Sequence, residues 1–97
     1  MSVEAYRDKA LAKLAELQAE VDKARAKAKG ASADLRLRAE KEVDELQKAV
    51  EAAKQRVAGL AEASEEKLSE LEVRFGETMD DLRSQARGLL DRIKKIG

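Results

Sequence analysis

Apolar residues recur along the second half of the chain at successive spacings of three, four and four residues. The pattern repeats every 11 residues, and its members are Leu46, Ala49, Ala53, Val57, Leu60, Ser64, Leu68, Leu71, Phe75, Met79, Leu82, Ala86, Leu90 and Ile93. Three turns of an α-helix take close to 11 residues, so such a stripe runs almost straight along one helix face. The pattern predicts amphipathic helices that associate through this stripe.

The first part of the chain has the same step, but its phase differs. Its apolar members are Val3, Tyr6, Ala10, Leu14, Leu17 and Val21. Between Val21 and Leu35 only alanines supply apolar side chains, so the core pattern is weakest there. The change of phase in this stretch leaves room for a break between two helices.

Two sites have the residues of a helix break. Gly30 followed by Ser32 is typical of a helix C-terminus and the N-cap of the next helix. An interior glycine in one continuous helix is equally compatible, since it costs only about 1 kcal/mol relative to alanine. Gly59 and Ser64 form the second site, with acidic residues in the following turn, where the helix dipole favours them.

These breaks lead to alternative all-α architectures for a single domain over residues 1–97. In the first, an antiparallel helical hairpin, one long helix over about 2–60 is followed by a helix over 64–96 that folds back on it. Its exposed N-terminal half would need a partner, which gives an antiparallel dimer. The alternative is a three-helix bundle with helices at 2–29, 33–59 and 64–96. A coiled coil of single uninterrupted helices is the third possibility.

The amino-acid composition excludes several kinds of catalytic and metal-binding site. The 97 residues include 20 Lys and Arg and 20 Asp and Glu, giving 41% charged residues and zero net charge. Cys, His and Trp are absent, which removes thiolate nucleophiles, zinc-thiolate sites and the usual general base. Only Tyr6 and Phe75 are aromatic. We therefore predict a non-enzymatic protein without catalytic residues, cofactor or metal.

The sequence offers no secretion or membrane signal. The first turns mix acidic and basic residues and lack the apolar region of a signal peptide. No window approaches the roughly 20 apolar residues needed to span a bilayer. A bacterial cytoplasmic location is the resulting expectation.

Charge is unevenly spread along the chain. Residues 62–81 hold eight acids against Lys67 and Arg74, whereas 23–29 and 83–95 are mainly basic. Antiparallel pairing of two long helices would set acidic segments beside basic ones, so an antiparallel homodimer is favoured. The three-helix alternative brings the two basic segments together, a mild cost that salt would screen.

Two sequence features that could suggest a catalytic or a metal-binding site are better explained by helix structure. Ser64 to Lys67 matches the S-x-x-K pattern of serine-lysine enzymes, but its companion motifs are missing, so Ser64 is better explained as an N-cap. The acidic residues have no glycine-bearing ligand loop and are typical of a solvated helix face. They are Glu62, Glu65, Glu66, Glu70, Asp80 and Asp81.

Two features of the sequence bear on partners other than protein. The basic run Lys23 to Lys29 is the best nucleic-acid candidate, but zero net charge and the lack of a nearby aromatic argue against nucleic acid. A lipid or membrane surface is the alternative function, because amphipathic helices also coat lipid, although few aromatics are available here.

In composition and in the spacing of its apolar residues, the chain resembles small bacterial alanine- and charge-rich coiled-coil proteins, some of which are linked to stress responses. The resemblance covers a Tyr near the start, Leu-x-x-Leu steps, and Ala63-Ser64 before a final amphipathic helix. The resemblance implies a long first helix and an intracellular, non-enzymatic role. It gives no catalytic residue that could be assigned to a position of this chain. Late-embryogenesis and apolipoprotein-like 11-residue repeats are similar at a greater distance.

The sequence thus predicts a structural or interaction protein that self-associates, with a partner helix from another protein as a further option. The residues predicted to carry association are the larger members of the stripe. They are Leu46, Val57, Leu60, Leu68, Leu71, Phe75, Met79, Leu82, Leu90 and Ile93.

Overall fold

The computed structural model describes residues 3–62 and 65–96, and the side chains of 3–60 and 67–94. Three α-helices follow one another in these residues: α1, Val3–Lys29; α2, Ala33–Ala58; and α3, Glu65–Ile96. A short 3-10 helix, Gly59–Glu62, lies between α2 and α3. The helices run up, down and up in a bundle of 49 × 17 × 15 Å, which confirms the all-α class.

The continuous helix predicted over about 2–60 is not observed. The chain turns after Lys29, so the three-helix alternative describes the fold, with each helix within one or two residues of its predicted bounds. Folding back lets α2 cover the apolar stripe of α1 within the same chain. A helix of about 90 Å would leave half of that stripe in water until a partner arrived.

The first turn is closed by backbone hydrogen bonds. The N–H of Gly30 donates to the Lys27 carbonyl at 3.2 Å, and the N–H of Ala31 donates to the Ala28 carbonyl at 3.1 Å. These are the tight bonds of a 3-10 turn at a helix end. No described glycine has a positive φ. Gly30 therefore ends α1 as predicted, but without the left-handed conformation that usually makes glycine necessary there.

The first residue of α2 and its last residue lie where the sequence predicted a helix to begin and to end. Ser32 precedes α2, yet its side chain makes no capping hydrogen bond. Its carbonyl instead accepts from the N–H of Arg36 at 2.7 Å. Gly59 follows the end of α2, and Leu60 in the adjoining 3-10 helix is buried in the core. The predicted N-cap at Ser64 lies outside the described residues.

The buried residues of α1 and α2 follow a seven-residue spacing, with alternating steps of three and four. In α1 they are Ala10, Leu14, Leu17, Val21, Ala24 and Ala28, and in α2 they are Ala39, Val43, Leu46, Val50, Ala53 and Val57. This is the spacing of helices that pack in a left-handed sense. The predicted 11-residue repeat is therefore wrong for the buried face of α2. The start of α3 keeps the predicted steps.

A pair of amides fixes the register of α1 against α2. Gln18 donates to the side-chain oxygen of Gln47 at 2.7 Å, and Gln47 donates back to Gln18 at 2.9 Å. Each amide also donates along its own helix, Gln18 to Asp22 at 2.9 Å and Gln47 to Glu51 at 3.1 Å. Sliding the helices by one turn would break both exchanged bonds and strand partly buried amides.

Candidate interaction surfaces

The residues predicted to carry association form the interior of one chain. Seven of them are buried, namely Leu46, Val57, Leu60, Leu68, Met79, Leu82 and Ile93. Leu71, Phe75 and Leu90 are partly buried and pack against that core. The stripe is thus satisfied by contacts between the three helices. Its use between two chains stays a prediction, and would require the same contacts to be exchanged between them.

Two buried residues were missed because the 11-residue step passes beside them. The step selects Ala49 and Leu90, whereas the structure buries Val50 completely and leaves Leu89 only 2% exposed. In both cases the neighbour in sequence lies closer to the core. A seven-residue step continued from Val43 and Leu46 reaches Val50, so this signal was present in the sequence.

The fold divides the charge between its two halves. One half contains the turn between α1 and α2 and the end of α3, with segments 17–49 and 85–97; we name it the basic half. It carries 12 Lys and Arg against 8 Asp and Glu. The other half, named the acidic half, carries the remaining 8 Lys and Arg against 12 Asp and Glu. The chain of zero net charge therefore folds into a bundle with +4 on one half and −4 on the other.

Two ion pairs tie the helices together in the basic half. Arg25 in α1 lies 3.2 Å from Asp44 in α2, and Arg92 in α3 lies 2.9 Å from Glu42 in α2. All four side chains are well exposed, so each pair contributes little to stability. They show that the end of α1 and the end of α3 both lie against the first half of α2.

The remaining basic side chains of this half are largely exposed and form no ion pair with a described residue. Those on α1 and α2 are Lys23, Lys27, Lys29, Arg36, Arg38, Lys41 and Lys48, and those on α3 are Arg87 and Lys94. Leu37, which is 66% exposed, lies between two of these arginines in sequence. The predicted basic run Lys23–Lys29 is thus part of a larger basic surface that the fold assembles.

An open groove of about 450 Å³ lies between α2 and α3, mostly in the acidic half, and Tyr6 of α1 lines one side of it. Its apolar wall includes Val57, Leu60, Leu71, Phe75 and Leu82, with Ala49, Ala52 and Ala53 along α2. Arg56, Arg74 and Thr78 complete the lining. The alanines leave this space because their short side chains cannot reach the opposite helix.

Tyr6 contributes a buried polar atom to this region. Its hydroxyl oxygen is buried and has no hydrogen-bond partner among the described residues. Burial raises the pKa of Tyr6 above its ordinary value of 10.0, and the nearby Glu72 carboxylate raises it further. The hydroxyl is therefore a neutral donor that lacks an acceptor.

The acidic residues do not form a metal site within the described part of the chain. No group of three Asp or Glu side chains converges there in the manner of a cation site. Asp80 and Asp81 are exposed on α3, while Ser64 and the side chains of 62, 65 and 66 lie outside the described residues. The absence of metal, cofactor and catalytic role stays a prediction for the chain as a whole.

None of the three described helices is both long and apolar enough to cross a bilayer. Fold and surface together define an antiparallel three-helix bundle with oppositely charged halves. The family described as Bacteriophage Mu Gam like protein matches residues 7–95, so the chain belongs to this family. No curated protein and no solved structure shows a significant match. The resemblance to stress-linked coiled-coil proteins stays a prediction.

Proposed function

We propose that this protein is a non-enzymatic DNA-binding member of its family, which contacts the DNA phosphates through its basic half. The observation that carries this proposal is that the fold brings the basic end of α1 and the basic end of α3 to one half of the bundle, where Lys and Arg exceed Asp and Glu by four. Phosphate contacts from Lys and Arg supply most of the free energy of non-specific DNA binding.

The family supports the same proposal, since Gam binds DNA ends. The sequence argument against nucleic acid had two grounds, the zero net charge of the chain and the lack of an aromatic residue near Lys23–Lys29. The division of charge bears on the first of them. That argument weakens once the charge is divided, because a DNA backbone near the basic half lies several Debye lengths from the far end of a 49 Å bundle. The excess of acid at the far end is then screened.

The experiment measures binding of a fluorescent duplex by anisotropy as the salt concentration is raised. We expect the logarithm of affinity to fall linearly with the logarithm of salt, with a slope of about 0.9 for each phosphate contacted. A linear duplex and the same sequence closed by hairpins at both ends separate binding of DNA ends from binding along the duplex. No binding of either DNA at low salt would contradict the proposal.

A matched pair of variants locates the binding surface. Lys23→Glu/Lys27→Glu reverses two exposed charges one turn apart on α1 in the basic half. Lys9→Glu/Lys13→Glu makes the same change of net charge, again one turn apart on α1, in the acidic half. We expect the first variant to lose most of its DNA affinity and the second to keep it. An equal loss in both would assign the effect to net charge alone.

Self-association is the second candidate, and the division of charge favours it. Two bundles lying antiparallel, side by side, would set each basic half against an acidic half. Leu11 and Val73, 41% and 61% exposed, lie in the acidic half and provide apolar surface for such a contact. Small-angle scattering distinguishes the forms: a side-by-side dimer keeps a long dimension near 49 Å, whereas exchange of helices through an opened turn lengthens it to about 90 Å.

The other predicted properties have no structural observation behind them. A cytoplasmic location, a link to stress and binding to a membrane surface all stay predictions. The same anisotropy and scattering measurements, repeated with vesicles of anionic and neutral lipid, test the membrane surface as a competing partner.

A further inference from the structure

The groove between α2 and α3 lies where the apolar residues of the two helices follow different spacings along the sequence. In α3, Leu71, Phe75 and Met79 are separated by two consecutive steps of four, whereas the buried residues of α2 alternate steps of three and four. A local change of this kind alters how a helix winds around its neighbours. Three of the α2 residues that line this space are alanines, Ala49, Ala52 and Ala53, and about 450 Å³ remains open to solvent.

The polar groups of this groove are hydrogen-bond donors in excess of acceptors. Arg56 on α2 and Arg74 on α3 line it, and neither forms an ion pair with a described residue. Thr78 lies one turn after Arg74 on α3. Two guanidinium groups that pair with no described carboxylate, beside an apolar wall, are complementary to a ligand with an anionic head and an apolar tail.

We propose that the groove binds a free fatty acid. The carboxylate lies between Arg56 and Arg74, where each planar guanidinium can donate two hydrogen bonds. The alkyl chain follows the apolar wall formed by Leu71, Phe75 and Leu82. The volume of the groove falls within the range of small-molecule sites, about 300 to 1,000 Å³.

The neighbouring charges define the orientation of the ligand. Glu72 is close enough to Tyr6 to raise its pKa, so a carboxylate at the Tyr6 side would meet a like charge. The head group is therefore directed to the two arginines, and the apolar tail to the Tyr6 and Phe75 rings. A membrane surface fits less well, because the groove is recessed between helices and cannot lie flat on a bilayer.

Tyr6 provides a reporter for the test, since it is the only tyrosine and the chain has no tryptophan. The full chain is titrated with dodecanoate and, separately, with dodecanol, while tyrosine fluorescence is followed. We expect a saturable change with dodecanoate and binding at least about tenfold weaker with dodecanol, because the alcohol lacks the charge. Equal binding of acid and alcohol would overturn recognition of the anion.

Variants with matched controls separate the site from general effects. Arg56→Gln/Arg74→Gln is expected to weaken dodecanoate binding at least about tenfold. Lys48→Gln/Arg87→Gln makes the same change of net charge on the same two helices outside the groove, and should bind as the parent chain does. Unchanged binding in the first variant would overturn the proposal.

A second variant fills the groove without disturbing the core. Ala52 is exposed on α2 and lines the groove, so Ala52→Phe should block dodecanoate, whereas Ala26→Phe on the exposed face of α1 should not. Circular dichroism verifies that both variants stay helical. If Ala52→Phe abolishes a dimer of the parent chain and leaves dodecanoate binding unchanged, the groove is an interface between copies and the proposal fails. Binding to vesicles in the absence of free fatty acid would also contradict it.

Discussion

The rings of Tyr6 and Phe75 meet edge to face, with centroids 6.2 Å apart and planes at 84°. These are the only two aromatic residues of the chain, and they come from α1 and α3. An edge-to-face pair adds about 0.5 to 1.5 kcal/mol beyond the apolar area that it buries. The contact therefore stabilises the packing of α3 on the start of α1.

Removing one ring should show this contribution directly. Phe75→Ala is expected to lower the free energy of unfolding by about 2 kcal/mol, below the 3 to 5 kcal/mol of a fully buried phenylalanine, because Phe75 is only partly buried. Urea unfolding followed by circular dichroism measures the change. Val73→Ala, at a 61% exposed position of the same helix, is the control and should change stability by less than about 0.5 kcal/mol.

Ionisation of Tyr6 should lower the free energy of unfolding at alkaline pH. Its pKa in the folded chain is raised above 10.0 by burial and by Glu72, so the neutral phenol is favoured in the folded state. The contribution to stability is then fully present below about pH 10 and is lost as the pH rises from there through the folded pKa. Urea unfolding at a series of alkaline pH values measures this loss.

Two variants isolate the Tyr6 effect from other titrations. Tyr6→Phe removes the ionising hydroxyl and should remove this part of the alkaline loss. Glu72→Gln should move the pKa of Tyr6 toward its ordinary value, which is visible in the absorbance of tyrosinate. If the alkaline loss of stability is the same in Tyr6→Phe as in the parent chain, the titrating group is another one.

The exchanged amides of Gln18 and Gln47 should behave as a coupled pair. Replacing either with Leu leaves the other amide partly buried without its partner, which should cost about 1 kcal/mol. Replacing both removes the unsatisfied group, so the double variant should be more stable than the sum of the single changes predicts. A double-mutant cycle by chemical unfolding gives the coupling, and a coupling near zero would show that the amides do not interact in solution.

Gly30 provides a test of the first turn. Its φ is negative, and a Cβ placed on it would meet only the Lys27 carbonyl oxygen, at an ordinary 3.7 Å. Gly30→Ala should therefore keep the turn and stabilise the bundle by about 0.4 to 1 kcal/mol, because alanine restricts the unfolded chain. Light scattering and circular dichroism check the result. A dimer with greater helix content would mean that alanine extends α1 into α2 and opens the turn.

Much of the helical structure could be predicted from local pattern. The apolar steps and the pairs Gly30/Ser32 and Gly59/Ser64 predicted three helices to within one or two residues of their observed bounds. The choice between these helices and one long helix could not be predicted, because both bury similar contacts, either within one chain or between two. The resemblance favoured the long helix, whereas α2 folds back on α1.

The candidate interaction surfaces could be predicted from the sequence less well than the helices, because each surface combines residues from different helices. The basic run Lys23–Lys29 was visible in the sequence, but its neighbours from α2 and α3 come from segments remote along the chain. The groove was not predicted, since its arginines, Arg56 and Arg74, are separated by a turn and belong to different helices. No single segment contains a signal for such a site.

The sequence by itself determined that the chain is helical, the positions at which its helices can end and most of the apolar positions on each, because these properties depend on residues within a few turns of one another. Only the tertiary structure decided which helix covers which stripe. That decision depends on competition between contacts within a chain and contacts between chains. It also divided a chain of zero net charge into a basic and an acidic half, since electrostatic potential depends on position in space rather than on position in sequence.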